Sequence, residues 1–317
     1  MSINSAEIVF IKSVKDGIPN RDPLNDSNAR RIFGEDDGRI SLSDVSIKRD
    51  VRDYIMAKYP DGGPDNRNFI YVREERTEDG KLLGRGSLAS KIEERSGIKA
   101  SRMQDLLTTA AFDVRAFGIV YSVKKETFKL TGPVQFGWAH SLHPIESQFI
   151  QGTVVMPSQD IGVTTAEGQE SKGLGQGTIW TTYIVPFAIF AMPGIINASI
   201  AQETGLTSND VDLLLEGLWN GTKHRQARGR GIQQPLFLIH VEYKAPMYRI
   251  GYIEESIKLR VEDNTDAPTS LGDSKLDLTA LARLLKDNQE KIARIRYWSD
   301  SRVTLLGELE GEKCSDW

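Results

Sequence analysis

The sequence is poor in the residues from which many catalytic and metal centres are built. Its 317 residues include one cysteine, Cys314, and four histidines. A single thiol excludes an internal disulfide and any zinc or iron–sulfur site made of several thiolates, and it suits a reducing compartment such as the cytoplasm. His140 and His143 lie three apart in AHSLHP, but a metal needs further ligands, and His224 and His240 fall in a basic loop and an apolar strand. No metal site and no cofactor is predicted. Positive charge is also short: 40 Lys and Arg face 44 Asp and Glu, a formal net charge of -4. No global cationic field announces a nucleic acid, so such a partner would have to be held by local patches. The hydrophobic share of 39% and the charged share of 26% are those of an ordinary globular chain.

Other absences narrow the field further. The opening residues, MSINSAEIVFIKSVKDG, lack the basic start, apolar core and small-residue cleavage site of a targeting segment. The longest uncharged apolar stretch, residues 183–201, contains Pro186, Pro193, Gly194 and Asn197. A buried strand, a turn at 192–194 and a short helix account for these better than a membrane span. There is no G-x-S-x-G elbow, no phosphate-binding P-loop and no H-E-x-x-H pair. Gly173, Gly175 and Gly177 imitate a dinucleotide loop, but a strand-like TIWTTYIV follows where a helix is required.

What is present reads as an α+β chain. Residues 7–14 form a first strand and run into the turn-rich PNRDPLND. Ile47, Val51, Tyr54 and Ile55 give a helix over 44–59 with Ser43 as N-cap. Helical segments open near Ser87 and Ser101, residues 112–122 and 149–156 return to strand character, and 157–177 is a long glycine-rich excursion between strands. Thr207 and Asp210 have capping-box-like spacing before the apolar stripe Val211, Leu214, Leu215 and Leu218. Residues 236–243 are a core strand, 261–273 a linker, and 276–296 a last amphipathic helix. This order predicts a sheet with helices on one face, of the ferredoxin-like or RNA-recognition-motif-like type.

Basic segments carry the functional signal. Residues 217–241 contain no acid and hold Lys223, Arg225, Arg228 and Arg230 among Gly221, Gly229 and Gly231, a loop suited to lining a phosphate chain. A second acid-free stretch, 127–145, adds Lys129 beside Phe128, Phe136 and Trp138. Lys48, Arg49 and Arg52 form a cationic side of the first helix, read as exposed. Together they point to single-stranded nucleic acid, although the aromatic signature of RNA-recognition motifs is absent. Asp22, Asp26 and Asp44 could hold magnesium, but in this context carboxylates more often cap turns and helices.

The segments PNRDPLND, SDVSIKRDVRDY, DVRAFG, TGPVQFGWAHSLHP, IINASIAQETGLTSNDVDLLLEGLWNGTK and LFLIHVEYK resemble, in order, the backbone subunit of type I CRISPR Cascade complexes. This is CRISPR-associated protein family seven, and the similarity is greatest to the subtype I-B branch. The resemblance, which runs from about Ile8 to Ile253, implies an RNA-recognition-like palm, a helical finger insertion over 60–111 and a thumb over 157–177 within one elaborated domain of residues 1–317; the linker and helix over 261–317 lie beyond it and rest on composition and periodicity. It implies many copies polymerised along the spacer of a guide RNA, beside other Cascade subunits and a target DNA strand, with no cutting by this subunit. Lys48, Arg49, Arg52, Lys223, Arg225, Arg228 and Arg230 would then face the guide, and Lys172 would lie on the thumb. Arg21 stands where the family pattern PNGDP has glycine and joins the RNA-binding candidates. Two other readings compete: a metal-dependent ribonuclease using Asp22, Asp26 or Asp44, as in type III relatives, and a stand-alone RNA-binding module.

Overall fold

The computed structural model describes residues 3–22, 24–25, 28–31, 37–123, 126–154, 179–227, 229–261, 267–315 and 317. Along the chain, β1 (Ala6–Gly17) and β2 (Ser41–Leu42) precede α1 (Asp44–Lys58), α2 (Arg85–Ser96), α3 (Met103–Ala110) and α4 (Phe112–Phe117). Next come β3 (Gly118–Val123), β4 (Glu126–Thr131), β5 (Val134–Phe136), β6 (Ala139–Ser141), β7 (Gln148–Thr153) and β8 (Ile179–Ile196). After α5 (Ala198–Thr204), α6 (Ser208–His224) and β9 (Ile232–Tyr243), the chain adds β10 (Lys258–Val261), β11 (Ser274–Asp277) and α7 (Thr279–Asp287). It closes with β12 (Ile292–Ser299), β13 (Thr304–Leu306) and β14 (Glu312–Lys313).

Among the described residues nine strands form one sheet, in the order β14-β12-β9-β1-β8-β6-β2 with β5 and β7 also paired to β8. The first strand lies near its centre, antiparallel to both β8 and β9. Ile8, Phe10 and Val14 point to one face, where they meet Val51 and Ile55 of α1 and Leu215 and Leu218 of α6. Val9 and Ile11 point to the other face and pack with Leu276, Leu281 and Leu285. Burial on both sides explains why β1 reads as a nearly continuous apolar run instead of alternating.

Several expectations need correction. Helices on one face describe half of the arrangement, because α7 and the small sheet β10-β11-β13 cover the second face. The helix expected over 276–296 ends at Asp287, and Ile292–Ser299 is instead a strand of the large sheet, paired with β9. Apolar and charged residues are mixed in IARIRYWS because β12 is only partly covered on each face, which imitates a helical period. Residues 112–117, read as strand, form α4; all six, Asp113 and Arg115 included, are buried, so no exposed side marks the helix. No turn breaks 192–194, since β8 continues to Ile196. Pro193 falls at the interruption between β5, paired at Gly194, and β6, paired at Ala191, where a missing N–H breaks no continuous ladder.

The expected finger region holds α2 and α3, which share an apolar cluster with Phe69, Tyr71 and Val114. The expected thumb, 157–177, lies outside the described residues. The strands that bound it are paired, with Thr153 opposite Ile179. The N-terminus of α6 carries the full capping box between Thr207 and Asp210.

The helices α1 and α6 touch through glycines. A methyl group at Gly217 would meet Val51 Cγ1 at 3.0 Å, and one at Gly221 would collide with the main-chain carbonyl of Asp50. Gly221→Ala is therefore expected to lower stability by about 1–3 kcal/mol through overpacking. Urea unfolding checks this against Gly84→Ala, whose methyl meets open space. Equal midpoints for the two variants would show that the helix packing is not the constraint.

Candidate nucleic-acid interface

A buried charge cluster lies where β1, α1 and the loop after α6 meet. Lys12 points to the α1 side of the sheet from within the apolar run of β1, and its Nζ donates to Asp50 Oδ2 at 3.0 Å. Asp50 Oδ1 accepts from Arg225 Nη1 at 3.0 Å and from Arg230 Nη2 at 2.6 Å. Lys12 and Asp50 are 1% and 0% exposed, and Arg230 is 6% exposed, so this polar centre is enclosed. Burial pushes the Lys12 ammonium down to about 8, a shift that the Asp50 charge opposes without cancelling. Burial alone would raise the Asp50 carboxyl, but the charges of Lys12 and Arg230 outweigh it and hold the group below its ordinary value.

Glycines let the loop close over this centre. Gly231 has φ +71, and a methyl there would strike the Lys15 carbonyl, while one on Gly17 would strike the Gly231 amide. Ile18 N donates to Gly229 O at 2.7 Å, and Arg230 N to Ala227 O at 3.1 Å. Between the loop and the end of β1 an open groove of about 660 Å³ is lined by Lys15, Lys223, Arg225, Gln226 and Gly229 among others, with Asp16 as the single acid of the lining. Lys15 and Lys223 are exposed, and the Lys223 ammonium also lies 5.5 Å from the Trp219 ring centroid. Exposed ammonium groups and amide side chains along an open groove match what a phosphate backbone needs from a protein.

The sequence-predicted residues divide into distinct groups. Arg225 and Lys223 line the groove, and exposed Arg21, in the turn after β1, stands outside its lining and donates to Thr182 Oγ1 at 3.0 Å on β8. A methyl on Gly229 would lie 3.2 Å from Arg21 Nη2, so the turn and the loop are adjacent. Arg230 points inward to Asp50 instead of outward. Lys48 and Arg49 are held by i,i+4 pairs with Asp44 and Asp53 at 2.8 and 2.6 Å. Arg52 does not belong to an exposed cationic side: it is buried, 2.9 Å from Asp113, whose carboxylate also accepts from the Tyr71 and Val72 amides. Lys129 is exposed on β4, in the hairpin outside the large sheet. Lys172 and Arg228 lie outside the described residues.

The acids considered for magnesium have other partners. Asp22 accepts from the Leu24 amide in its turn, Asp44 pairs with Lys48, and Asp26 lies outside the described residues. Among the described residues no three metal-ligating side chains converge, and no helix is long and apolar enough to cross a membrane. Sequence reasoning missed Lys12, Lys15 and Asp50. A lysine in the middle of the apolar IVFIKSV was the available signal, because a charge buried in a strand needs a partner.

Comparison with known proteins places the chain. The family model described as CRISPR-associated protein Cas7 matches residues 4–279. A Haloferax volcanii protein, CRISPR-associated protein Cas7, is 26% identical over 330 aligned residues, covering 96% of this chain and 89% of its own. Chains in two solved structures share the fold. One, described as "CRISPR RNA-guided surveillance complex, pre-nicking", has a TM-score of 0.57 and 14% identity over 98% of this chain and 96% of its own. The other, "CRISPR RNA-guided surveillance complex", has a TM-score of 0.53 and 15% identity over 98% and 95%.

The ion pairs differ in depth, and their removal should differ accordingly. Arg52→Ala strands the buried Asp113 carboxylate and is expected to cost about 3–5 kcal/mol, against under about 1 kcal/mol for Lys48→Ala or Arg49→Ala. Denaturant titration of the three variants checks this, and similar midpoints would contradict the buried placement. Lys12 supplies a pH test. Its folded value near 8 lies below the ordinary 10.5, so the unfolded chain binds more protons between these limits. The resulting penalty is complete below about pH 8 and is relieved as pH rises toward 10. Between pH 7.5 and 9.5 the wild-type urea midpoint should therefore rise relative to Lys12→Met; parallel curves would refute the assignment.

Proposed function

Because the chain belongs to the CRISPR-associated Cas7 family, we propose that it is a non-catalytic guide-RNA-binding subunit of a Cascade surveillance complex acting in antiviral defence. In this reading copies of the chain polymerise along the guide spacer in the cytoplasm, beside other Cascade subunits, and present the guide to a target DNA strand. The large sheet with α1 and α6 serves as the palm, α2 and α3 as the finger, and residues 157–177 as the thumb. The subtype I-B assignment belongs to the same proposal.

The observation that carries it is the groove lined by Lys15, Lys223 and Arg225, with Arg21 beside it. A subunit repeated along RNA requires only a modest cationic groove per copy, which reconciles the site with a net charge of -4. Lys172 on the thumb and Arg228 in the loop would add to the same path.

The test uses the double variant Lys15→Ala/Lys223→Ala. It should weaken binding to single-stranded RNA of any sequence and flatten the dependence of log affinity on log salt by about 0.7 for each phosphate no longer neutralised. Thermal stability should change little, because exposed cations contribute little. An unchanged slope would remove the groove from the RNA path. Magnesium-dependent cleavage of labelled RNA, abolished in Asp22→Asn or Asp44→Asn, would replace the binding reading with a nuclease.

A further inference from the structure

We propose that Asp50 is the positioning residue of the basic loop, a group that never touches RNA yet decides where the cations of residues 225–231 stand. The binding arm of this proposal rests on the RNA reading above; its structural arm does not. Asp50 is fully buried and joins three elements: Lys12 on β1, its own helix α1, and Arg225 and Arg230 at the two ends of the loop. Arg230 Nη2 is shared with Gln233 Oε1 at 3.1 Å, at the start of β9, and Arg225 Nη1 also donates to the Ser46 carbonyl at 3.2 Å. Both ends of the loop are thus pinned to one carboxylate, and the segment between them borders the groove.

Charge and depth together set how the cluster would respond to a change. Three cations converge on one anion, and among the described residues only Arg225 also pairs with a second carboxylate, Asp53 at 3.4 Å. Like charges brought this close without a counter-ion repel strongly where water is excluded. Without the Asp50 charge the Lys12 ammonium is lowered further and can shed its proton, which still leaves two guanidiniums, Arg225 and Arg230, facing each other with no shared counter-ion. The side chains of Lys12 and Arg230 are 1% and 6% exposed and have no route to water, whereas that of Arg225 is already 26% exposed. Arg225 should leave first, and the loop with it. The sheet can remain closed, because β1 and β9 are joined by main-chain pairing from Ala6 to Ile11 before the register shift at Lys12, and β1 is paired with β8 on its other edge.

The experiment compares wild type and Asp50→Asn in two measurements. Amide hydrogen exchange of peptides covering 222–233 should accelerate at least about tenfold, equivalent to about 1.4 kcal/mol of local opening, while residues 236–243 keep their protection. Affinity for single-stranded RNA should fall, and the salt slope should shrink by about 0.7 for each cation that leaves its phosphate with the loop. A purely structural role would lower the melting temperature and speed exchange in both segments alike, with the slope of the folded fraction unchanged; that result would overturn the proposal. Should Asp50→Asn fail to fold, Arg230→Met leaves Lys12 and Arg225 on the carboxylate and frees only the other end. It should speed exchange of 227–231 by a similar factor, and unchanged protection there would also overturn the proposal. If wild-type protein binds no RNA at all, the functional reading falls, while the exchange comparison still decides whether Asp50 holds the loop.

Discussion

Shielding a surplus of positive charge from water is the constraint on which the α1 side of this molecule depends. A lysine inside a central strand would ordinarily be excluded, since an ammonium without a partner in a core costs several kcal/mol. Asp50 makes it tolerable, but only if α1 lies at one height over the sheet. That height brings α6 close to α1 and excludes a side chain at Gly221. The same carboxylate fixes the loop after α6, whose return to β1 then requires Gly17 and Gly231. Strand, helix packing and basic loop therefore form one coupled arrangement.

The opposite side of the sheet follows a different logic. It is closed by apolar packing from α7 and the small sheet β10-β11-β13, with Leu276, Leu281 and Leu285 against Val9 and Ile11. His240 on β9 is buried at the α6 side of the same strand, where burial, reinforced by Arg296 and Arg294, lowers it to about 3 and keeps the ring neutral. Buried charge is present on the apolar side too, where the Glu7 carboxylate accepts from the Tyr243 hydroxyl and from the Ile250 and Gly251 amides.

Much of the fold was legible where a segment has one wet side. The bounds of α1 and the start of α6 follow from apolar spacing, and the Thr207–Asp210 cap follows from residue type, but α6 runs on to His224, so Lys223 and His224, read as loop residues, stand in its last turn. Legibility failed where burial is complete or shared: α4 has no exposed side, its Asp113 and Arg115 being buried with the rest, and β12 mixes its residues because neither face dominates. The same limit applied to the site. Spacing placed Lys48, Arg49 and Arg52 near one another on a helix, but depth depends on Asp113, 61 positions away, and only Arg52 is buried against it. Arg225 and Arg230 looked equivalent in NGTKHRQARGRG, yet one lines the groove and the other is enclosed, because Asp50 lies 180 positions from Arg230. The basic segment 217–241 stood out because lack of acid is a local property, although its first eight residues belong to α6.

The central position of β1 orders events during synthesis. Its two hydrogen-bonding neighbours, β8 and β9, begin at Ile179 and Ile232. A nascent chain released only as far as residue 178 therefore carries a twelve-residue, largely apolar strand, Ala6–Gly17, with neither edge paired. The strand β1 is made before both of its neighbours and is enclosed only after they emerge. During that interval Lys12 interrupts the apolar run with a charge, the kind of residue that disfavours edge-to-edge association of an unpaired strand.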